Sequence, residues 1–376
     1  GVVVIVSALG DTTDRLLELA YQISENPSER ELDMLVSTGE QVSVALLAMA
    51  IHKLGMDAIS FTGAQVGITT DDSFTKARII NINTKRILEE LKKDKIVIVA
   101  GFQGVNLNQE ITTLGRGGSN LTAVALTKVL DGEVCEMYTD VEGVYTADPR
   151  IIKDATKLHR ISYEEMFELA SLGAQVLQPR SIEFAMKFNV PIHVRSSFSE
   201  KEGTIISKEV RAMEDIVVSG VVMNKDEAKV TICDVPDKPG IAAKIFKRIA
   251  KGDINVDMII QNVSRTGATD VSFTVFGREL NKTMKVAKEI SAAIGAGEVI
   301  CDKNVAKVSV VGIGMKSHSG VAAGMFDALA DEKINIEMIS TSEIKISCVV
   351  KKDRAEDAVK AIHSKFKLNK GIKKAK

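Results

Sequence analysis

Cysteine is scarce in this chain and never paired: Cys135, Cys233, Cys301 and Cys348 lie far apart, with no CxxC, each in an apolar, strand-like run. That spacing fits neither a thiolate metal site nor a disulfide framework, and it suits a reducing, cytoplasmic setting. Neither sign of charge is in excess. With 49 Lys and Arg against 50 Asp and Glu, there is no electrostatic footprint for nucleic acid, and the one basic run, the terminal KFKLNKGIKKAK, reads as a solvated tail. Long apolar runs are also missing: VSVALLAMAI, bounded by Glu40 and His52, is too short to cross a membrane. The opening GVVVIVSALG has no basic n-region and no small-residue cleavage site, so this stretch is not expected to be a signal peptide. It reads as a buried strand starting at residue 1, so further sequence is expected upstream. No GxGxxG follows a strand, which argues against a nicotinamide dehydrogenase.

What is present suffices for more than one core. The 376 residues, 45% hydrophobic and 26% charged, predict two or three domains. From Val2 to about Ser197, continuous apolar runs (VVVIV, DAISFTG, IVIVAGF, EVCEMYTD, VPIHVRSS) alternate with helical patterns over 14–24, 39–54, 122–130 and 163–173. Strands apolar on both faces predict an α/β domain with a mostly parallel sheet and helices on both sides, over residues 1–207.

Beyond Asp215 an internal repeat appears. DKPGIAAKIFKRIAKGDINVDMIIQNVS, from Asp237, is echoed by SHSGVAAGMFDALADEKINIEMISTSE, from Ser317, at a constant offset of 80 positions. Gly240 matches Gly320, Phe246 matches Phe326, and Ile254-Asn255 matches Ile334-Asn335. Each copy reads strand, glycine turn, helix, strand, strand, helix, a βαββαβ unit. The second copy stops without a final strand, and IVVSGVVMN can supply one. The predicted units are therefore 228–304, then 215–227 together with 305–368, leaving 369–376 as the basic tail.

The strongest chemical signal is TTLGRGGSNLTAVAL, Thr112 to Leu126. Gly115, Gly117 and Gly118 surround Arg116 and lead into a helix that Ser119 or Asn120 can cap, so free amides and a guanidinium face one place. An anion suits such a turn, and so does plain structure. SALGDTT, from Ser7 to Thr13, offers hydroxyls and amides at a strand-to-helix turn. STGEQVS puts Glu40 in the first turn of an apolar helix, as ordinary decoration or as a partner for an ammonium group. YTDVEGVYTADPR, from Tyr138 to Arg150, is a polar loop after a strand, able to hold a nucleotide or merely to turn.

These strings, with VAGFQGV, ASLGAQVLQPRS, NVPIHVRSS, QNVS and ISTSEIKIS, resemble one family across essentially the whole chain: the aspartate kinases of the amino-acid kinase superfamily that carry two C-terminal ACT domains. The resemblance implies an amino-acid kinase fold followed by paired ACT domains. It implies transfer of the γ-phosphoryl of ATP, with Mg²⁺, to the side-chain carboxylate of L-aspartate. Arg116, Asn120 and Gln175 fall at the positions of phosphoryl transfer; Ser7, Thr13, Glu40, Arg116, Gly117, Gly118 and Ser119 at those of aspartate. Thr139, Asp140, Tyr145, Asp148 and Arg150 fall at the ATP positions. Threonine, lysine or both are the implied effectors, at Asp237, Gly240, Ala242, Asn255, Asp257, Gln261 and Ser264 in the first ACT copy. Val321, Ala322, Asn335, Ile336, Ser342 and Glu343 are their counterparts in the second. A homo-oligomer built through the ACT units is implied as well.

The chain departs from the family pattern at three places. The KFGG-type lysine is not in this sequence, Asn120 stands where the family has Asp, and Gln175 stands where it has Lys. Two lost charges at a phosphoryl-transfer site predict slower turnover. They also frame an alternative, a kinase-like regulatory or amino-acid-binding subunit. Other amino-acid kinases, such as those acting on N-acetylglutamate, lack a reason for the paired ACT units.

Overall fold

The computed structural model describes residues 1–174, 176–208, 217–262, 267–316, 318 and 320–370. The chain forms two compact units. The first comprises residues 1–144, 159–171 and 175–210; the second takes 145–158, 172–174 and 211–376. Residues 145–158, expected within the N-terminal domain, thus belong to the C-terminal unit.

The first unit begins β1 (Val3–Val6), α1 (Thr12–Ile23), α2 (Glu29–Val36), α3 (Thr38–Lys53), β2 (Ala58–Phe61), β3 (Ile68–Thr70), β4 (Ile79–Ile82) and α4 (Lys85–Leu91). It continues with β5 (Ile96–Ala100), β6 (Gln103–Val105), β7 (Ile111–Thr113), α5 (Gly118–Val129), β8 (Cys135–Thr139), β9 (Arg160–Ser162), α6 (Tyr163–Ser171), α7 (Pro179–Phe188), β10 (Ile192–Ser196) and β11 (Thr204–Ser207). Its strands fall into three sheets, ordered β1-β5-β2, β8-β10-β11-β9 and β4-β3-β6-β7. The first is wholly parallel; the other two contain antiparallel pairs.

Why IVIVA is apolar throughout is plain in β5. Ile98 and Ala100 pack under α3 with Val44, Ala48 and Ile51. Val97 and Val99 face the other way, onto Ile87 of α4 and Leu126 of α5. Each of these valine, leucine and isoleucine side chains contributes about 1.5–3 kcal/mol through burial, and no polar residue fits on either face. The span Glu29–Lys53 is long and apolar enough to cross a membrane by length and composition. It is, however, two consecutive helices: α3 buries Val44, Ala48 and Ile51 against this sheet, and α2 buries Asp33 against Thr113 of β7.

The second unit contains β12 (Gly220–Pro236), α8 (Ile241–Lys251), β13 (Ile259–Gln261), β14 (Ala268–Phe276), α9 (Leu280–Ile294), β15 (Val299–Val311), α10 (Val321–Asp331), β16 (Met338–Thr341), β17 (Lys345–Lys351) and α11 (Ala355–Lys365). One six-stranded antiparallel sheet runs β13-β14-β12-β15-β17-β16. Its two central strands are each shared between the copies. The start of β12 pairs with the end of β15 (Gly220 opposite Val311), and the end of β12 with the start of β15 (Ile232 opposite Val299). Segment 220–224 therefore sits as the last strand of the second copy, and 299–302 as that of the first. Each copy has its own core: Ile245, Ile249, Phe273 and Ile290 in the first, Val308, Met325, Leu329 and Ile362 in the second.

Candidate functional site

In the first unit the parallel strands deliver their C-terminal ends to helix starts, where ligands of open α/β sheets bind. The loops after β1 and β5 are tied together by the Gly101 N–H donating to the Val6 carbonyl at 3.0 Å. Gly101 also lies flush against Ser119 at the start of α5: a Cβ on Gly101 would meet Ser119 Cβ at 2.7 Å. On the neighbouring helix, Glu40 Oε1 accepts the Ala8 N–H at 3.0 Å, and a Cβ on Gly39 would meet Ala8 Cβ at 2.8 Å. The predicted Ser7, Glu40 and Ser119 are thus gathered around one set of loop ends, and Thr13 lies in the first turn of α1.

Glu40 is the electrostatic anomaly of this site. It is 3% exposed, and Oε2 has no hydrogen-bond partner. Burial pushes its pKa up to about 7, against the opposing Ala8 N–H bond. A buried carboxylate with one oxygen unsatisfied suits a cationic ligand. Arg116, by contrast, is exposed.

The glycine turn differs from expectation at its cap. The helix starts at Gly118 with Gly117 as N-cap at φ 71°, and no side chain caps it. Ser119 and Asn120, expected as caps, lie inside the first turn, because the left-handed glycine makes the reversal one residue earlier. The turn is also crowded: a Cβ on Gly117 would come within 2.1 Å of Gln178 Cγ. Gln175 lies outside the described residues.

Two residues that hold this turn were not singled out from sequence. Buried Asp33 in α2 accepts the Thr75 N–H at 2.9 Å, the Thr113 N–H at 2.8 Å and the Thr113 hydroxyl at 2.6 Å. Burial raises its pKa, and these bonds oppose the rise. Arg180 in α7 donates to the carbonyls of Leu114 (2.6 Å) and Ala77 (2.7 Å). Arg180 stands in the LQPRS string, so its signal was available; Asp33 is 80 positions from Thr113, beyond any local pattern.

The expected nucleotide residues divide between the units. Thr139 ends β8, and its hydroxyl donates to Asp140 Oδ1 at 3.0 Å. In the second unit Asp148 and Arg150 hold each other: Arg150 Nη2 meets Asp148 Oδ2 at 2.7 Å. The guanidinium keeps the Asp148 carboxyl below its ordinary range. Tyr145 bridges to Lys157 across the same loop.

The second copy of the repeat contains a cavity of about 470 Å³ lined by Gly320, Val321, Ala322, Ser342 and Glu343, with Met315, His318, Thr341 and Ile346. Gly320 caps α10 at φ 95°, so free amides open into it. Four predicted effector residues line this cavity. Asn335 and Ile336 do not, because the helix-to-strand turn points Ile336 into the apolar core. Thr341 was foreseeable, being Gln261 moved by the repeat offset. In the first copy Gly240 caps α8 at φ 89°; Asp237, Ala242, Asn255 and Gln261 are exposed, and Ser264 lies outside the described residues. Asp257 is already engaged, forming an ion pair with Lys307.

That ion pair has a mirror. Lys307 of the second copy reaches Asp257 of the first, and Lys229 of the first reaches Glu337 of the second at 2.5 Å. Lys307 also meets buried Glu227 at 2.9 Å. Burial disfavours charge on Lys307, but Glu227 and Asp257 outweigh it and raise its pKa. Burial pushes Glu227 up despite the lysine.

Residues 1–196 match the amino acid kinase family, and residues 234–290 and 308–366 match the ACT domain. The chain is 53% identical to an aspartate kinase of Stutzerimonas stutzeri, over 98% of this chain and 90% of the relative. It resembles the crystal structure of Escherichia coli aspartokinase III in complex with aspartate and ADP, with TM-score 0.78 and 28% identity over 94% of this chain and 80% of the other. The same enzyme with lysine and aspartate matches with TM-score 0.70 and 27% identity, at the same coverage.

Proposed function

The chain belongs to the aspartate kinases, and on that footing we propose that it transfers the γ-phosphoryl of ATP to the side-chain carboxylate of L-aspartate, giving 4-phospho-L-aspartate. The observation that carries this reading is Glu40, buried with one oxygen unsatisfied, on loops it shares with Ser7 and Ser119. A zwitterion needs both signs. Glu40 takes the ammonium group, Arg116 clamps a carboxylate, and Ser7, Thr13 and the amides of Gly117, Gly118 and Ser119 complete the cradle. Phosphoryl transfer between two anions is mainly positioning and charge neutralisation, which is what a helix start and an arginine supply.

ATP is the co-substrate, with Thr139, Asp140, Tyr145, Asp148 and Arg150 as its contacts. Among the described residues no three carboxylate, histidine or cysteine groups converge. Mg²⁺ would therefore be held mostly by phosphate oxygens and water, with one or two carboxylates at most. Asn120 and Gln175 do not make this chain a mere regulatory subunit: the relative at 53% identity is an aspartate kinase over 98% of the chain.

The cavity at Gly320 is the effector site, taking lysine, threonine or both, its amides facing the ligand carboxylate and Glu343 the ammonium. The sheet ends in short edge strands β13 and β16, which supports oligomerisation through ACT units of two chains. A cytoplasmic location accords with the four free cysteines. An ATP-dependent hydroxamate assay tests the reading: aspartate is expected to give hydroxamate, and glutamate and N-acetylglutamate little. No product from aspartate would overturn it.

A further inference from the structure

The loop bearing Tyr145, Asp148 and Arg150 is built into the second ACT copy. Thr146, at its centre, is 5% exposed, and His363 of α11 is 3% exposed. The Thr146 hydroxyl lies 3.0 Å from His363 Nε2 and accepts the Thr156 N–H at 3.0 Å. The Thr146 N–H donates to the Thr156 carbonyl at 2.9 Å, and its own carbonyl accepts the Val221 N–H at 2.8 Å. Beside it, Ala147 and Ile152 enter the core formed with Val359 and Ile362. Beyond the helix, Asn369 Nδ2 donates to Asp154 Oδ2 at 2.9 Å.

The Thr146 hydroxyl also lies 3.4 Å from the Leu368 carbonyl, so every polar group of Thr146 is held from within the second unit, by residues up to 222 positions away. The Leu368 carbonyl, at 3.4 Å, is at the limit of hydrogen bonding, so His363 Nε2 is the close side-chain partner of this buried hydroxyl, and losing it weakens the tie that holds the loop in one register. The geometry points to His363 as a positioning residue that, through Thr146, sets the affinity for ATP. It does so by fixing the backbone that presents Tyr145, Asp148 and Arg150. This inference rests on the reading of those three residues as nucleotide contacts.

Steady-state kinetics and direct ATP titration of the full chain test it. His363→Leu keeps the bulk and loses the hydrogen bond. It is expected to raise KM and Kd for ATP about tenfold, the loss of one buried hydrogen bond, with kcat and KM for aspartate within about twofold. His363→Gln, whose amide can still meet the hydroxyl, restores most of the affinity. Thr146→Val behaves like His363→Leu, and the double variant is no worse than either single one. Should His363→Leu fail to fold, exposed Asn369→Ala is the second probe, with KM for ATP expected to rise about threefold. A folded His363→Leu or Asn369→Ala chain with unchanged ATP affinity overturns the inference, as does an equal rise in KM for both substrates. A wild-type chain that binds no ATP overturns the nucleotide reading itself.

Discussion

Replacing Glu40 by Gln separates the cost of the site from its use. A carboxyl moved from 4.5 to about 7 represents about 3 kcal/mol of unfavourable burial once it is ionised. Because the folded pKa is raised, the native state holds more protons than the unfolded chain between those values. Glu40 therefore lowers stability progressively as pH rises through 4.5–7, and the loss is complete above about 7. Glu40→Gln keeps the shape and removes the charge, so at pH 8 the variant is expected to be more stable by about 1–3 kcal/mol in urea unfolding. The same change removes the proposed partner of the substrate ammonium. A charge-assisted hydrogen bond of about 1.5–3 kcal/mol predicts a rise in KM for aspartate of roughly 10- to 150-fold. In the wild type, kcat/KM for aspartate falls with an apparent pKa near 7, about tenfold per pH unit below it, and this dependence disappears in the variant. Hydroxamate kinetics from pH 5.5 to 8.5 read both effects. A KM for aspartate within twofold of wild type would refute the assignment of Glu40 to the ammonium group.

Other consequences are as direct. Lys307→Met leaves Glu227 buried without its cation and is expected to cost about 3–5 kcal/mol in urea unfolding. Lys307→Met with Glu227→Leu should recover most of that loss, and a single variant within 1 kcal/mol of wild type would show that the pair is not needed. Gly117→Ala forces a side chain onto φ 71° and into Gln178; a loss of about 1–3 kcal/mol and a higher KM for aspartate are expected. Adding Gln178→Ala relieves the clash but not the backbone strain, so recovery is partial; full stability of Gly117→Ala alone would contradict the geometry. Glu343→Gln is expected to raise the half-inhibitory concentration of the amino-acid effector about tenfold, measured separately for lysine and threonine. An unchanged value for both would remove the effector from this cavity.

What the sequence showed and what it hid follow from the range of each interaction. IVIVA announced a strand covered on both faces because packing wrote one apolar character into consecutive residues. The ACT repeat was legible because glycine caps and core positions recur at a fixed offset, and the glycine turn at Gly115–Gly118 because backbone demands leave few residue choices. Short strands such as Gln103–Val105 and Ile111–Thr113 were invisible, since three residues cannot display a period. Asp33 was hidden for a different reason: a buried aspartate that accepts three bonds from residues 42 and 80 positions away has no local signature. The crossed lysines carry the point furthest. Lys229 and Lys307 stand at the same place in the two AKV strings, as Asp257 and Glu337 do in INVD and INIE. The structure pairs each lysine with the acid of the other copy: Lys229 lies opposite Asp302 and Lys307 opposite Asn224, both on the shared central strands within side-chain reach of the other unit. The exchange ties the strand entering β13 to the second copy and the strand entering β16 to the first. Neither copy can shift the strand that follows its first helix without working against a charge on the other, and that dependence belongs to the pair rather than to either repeat.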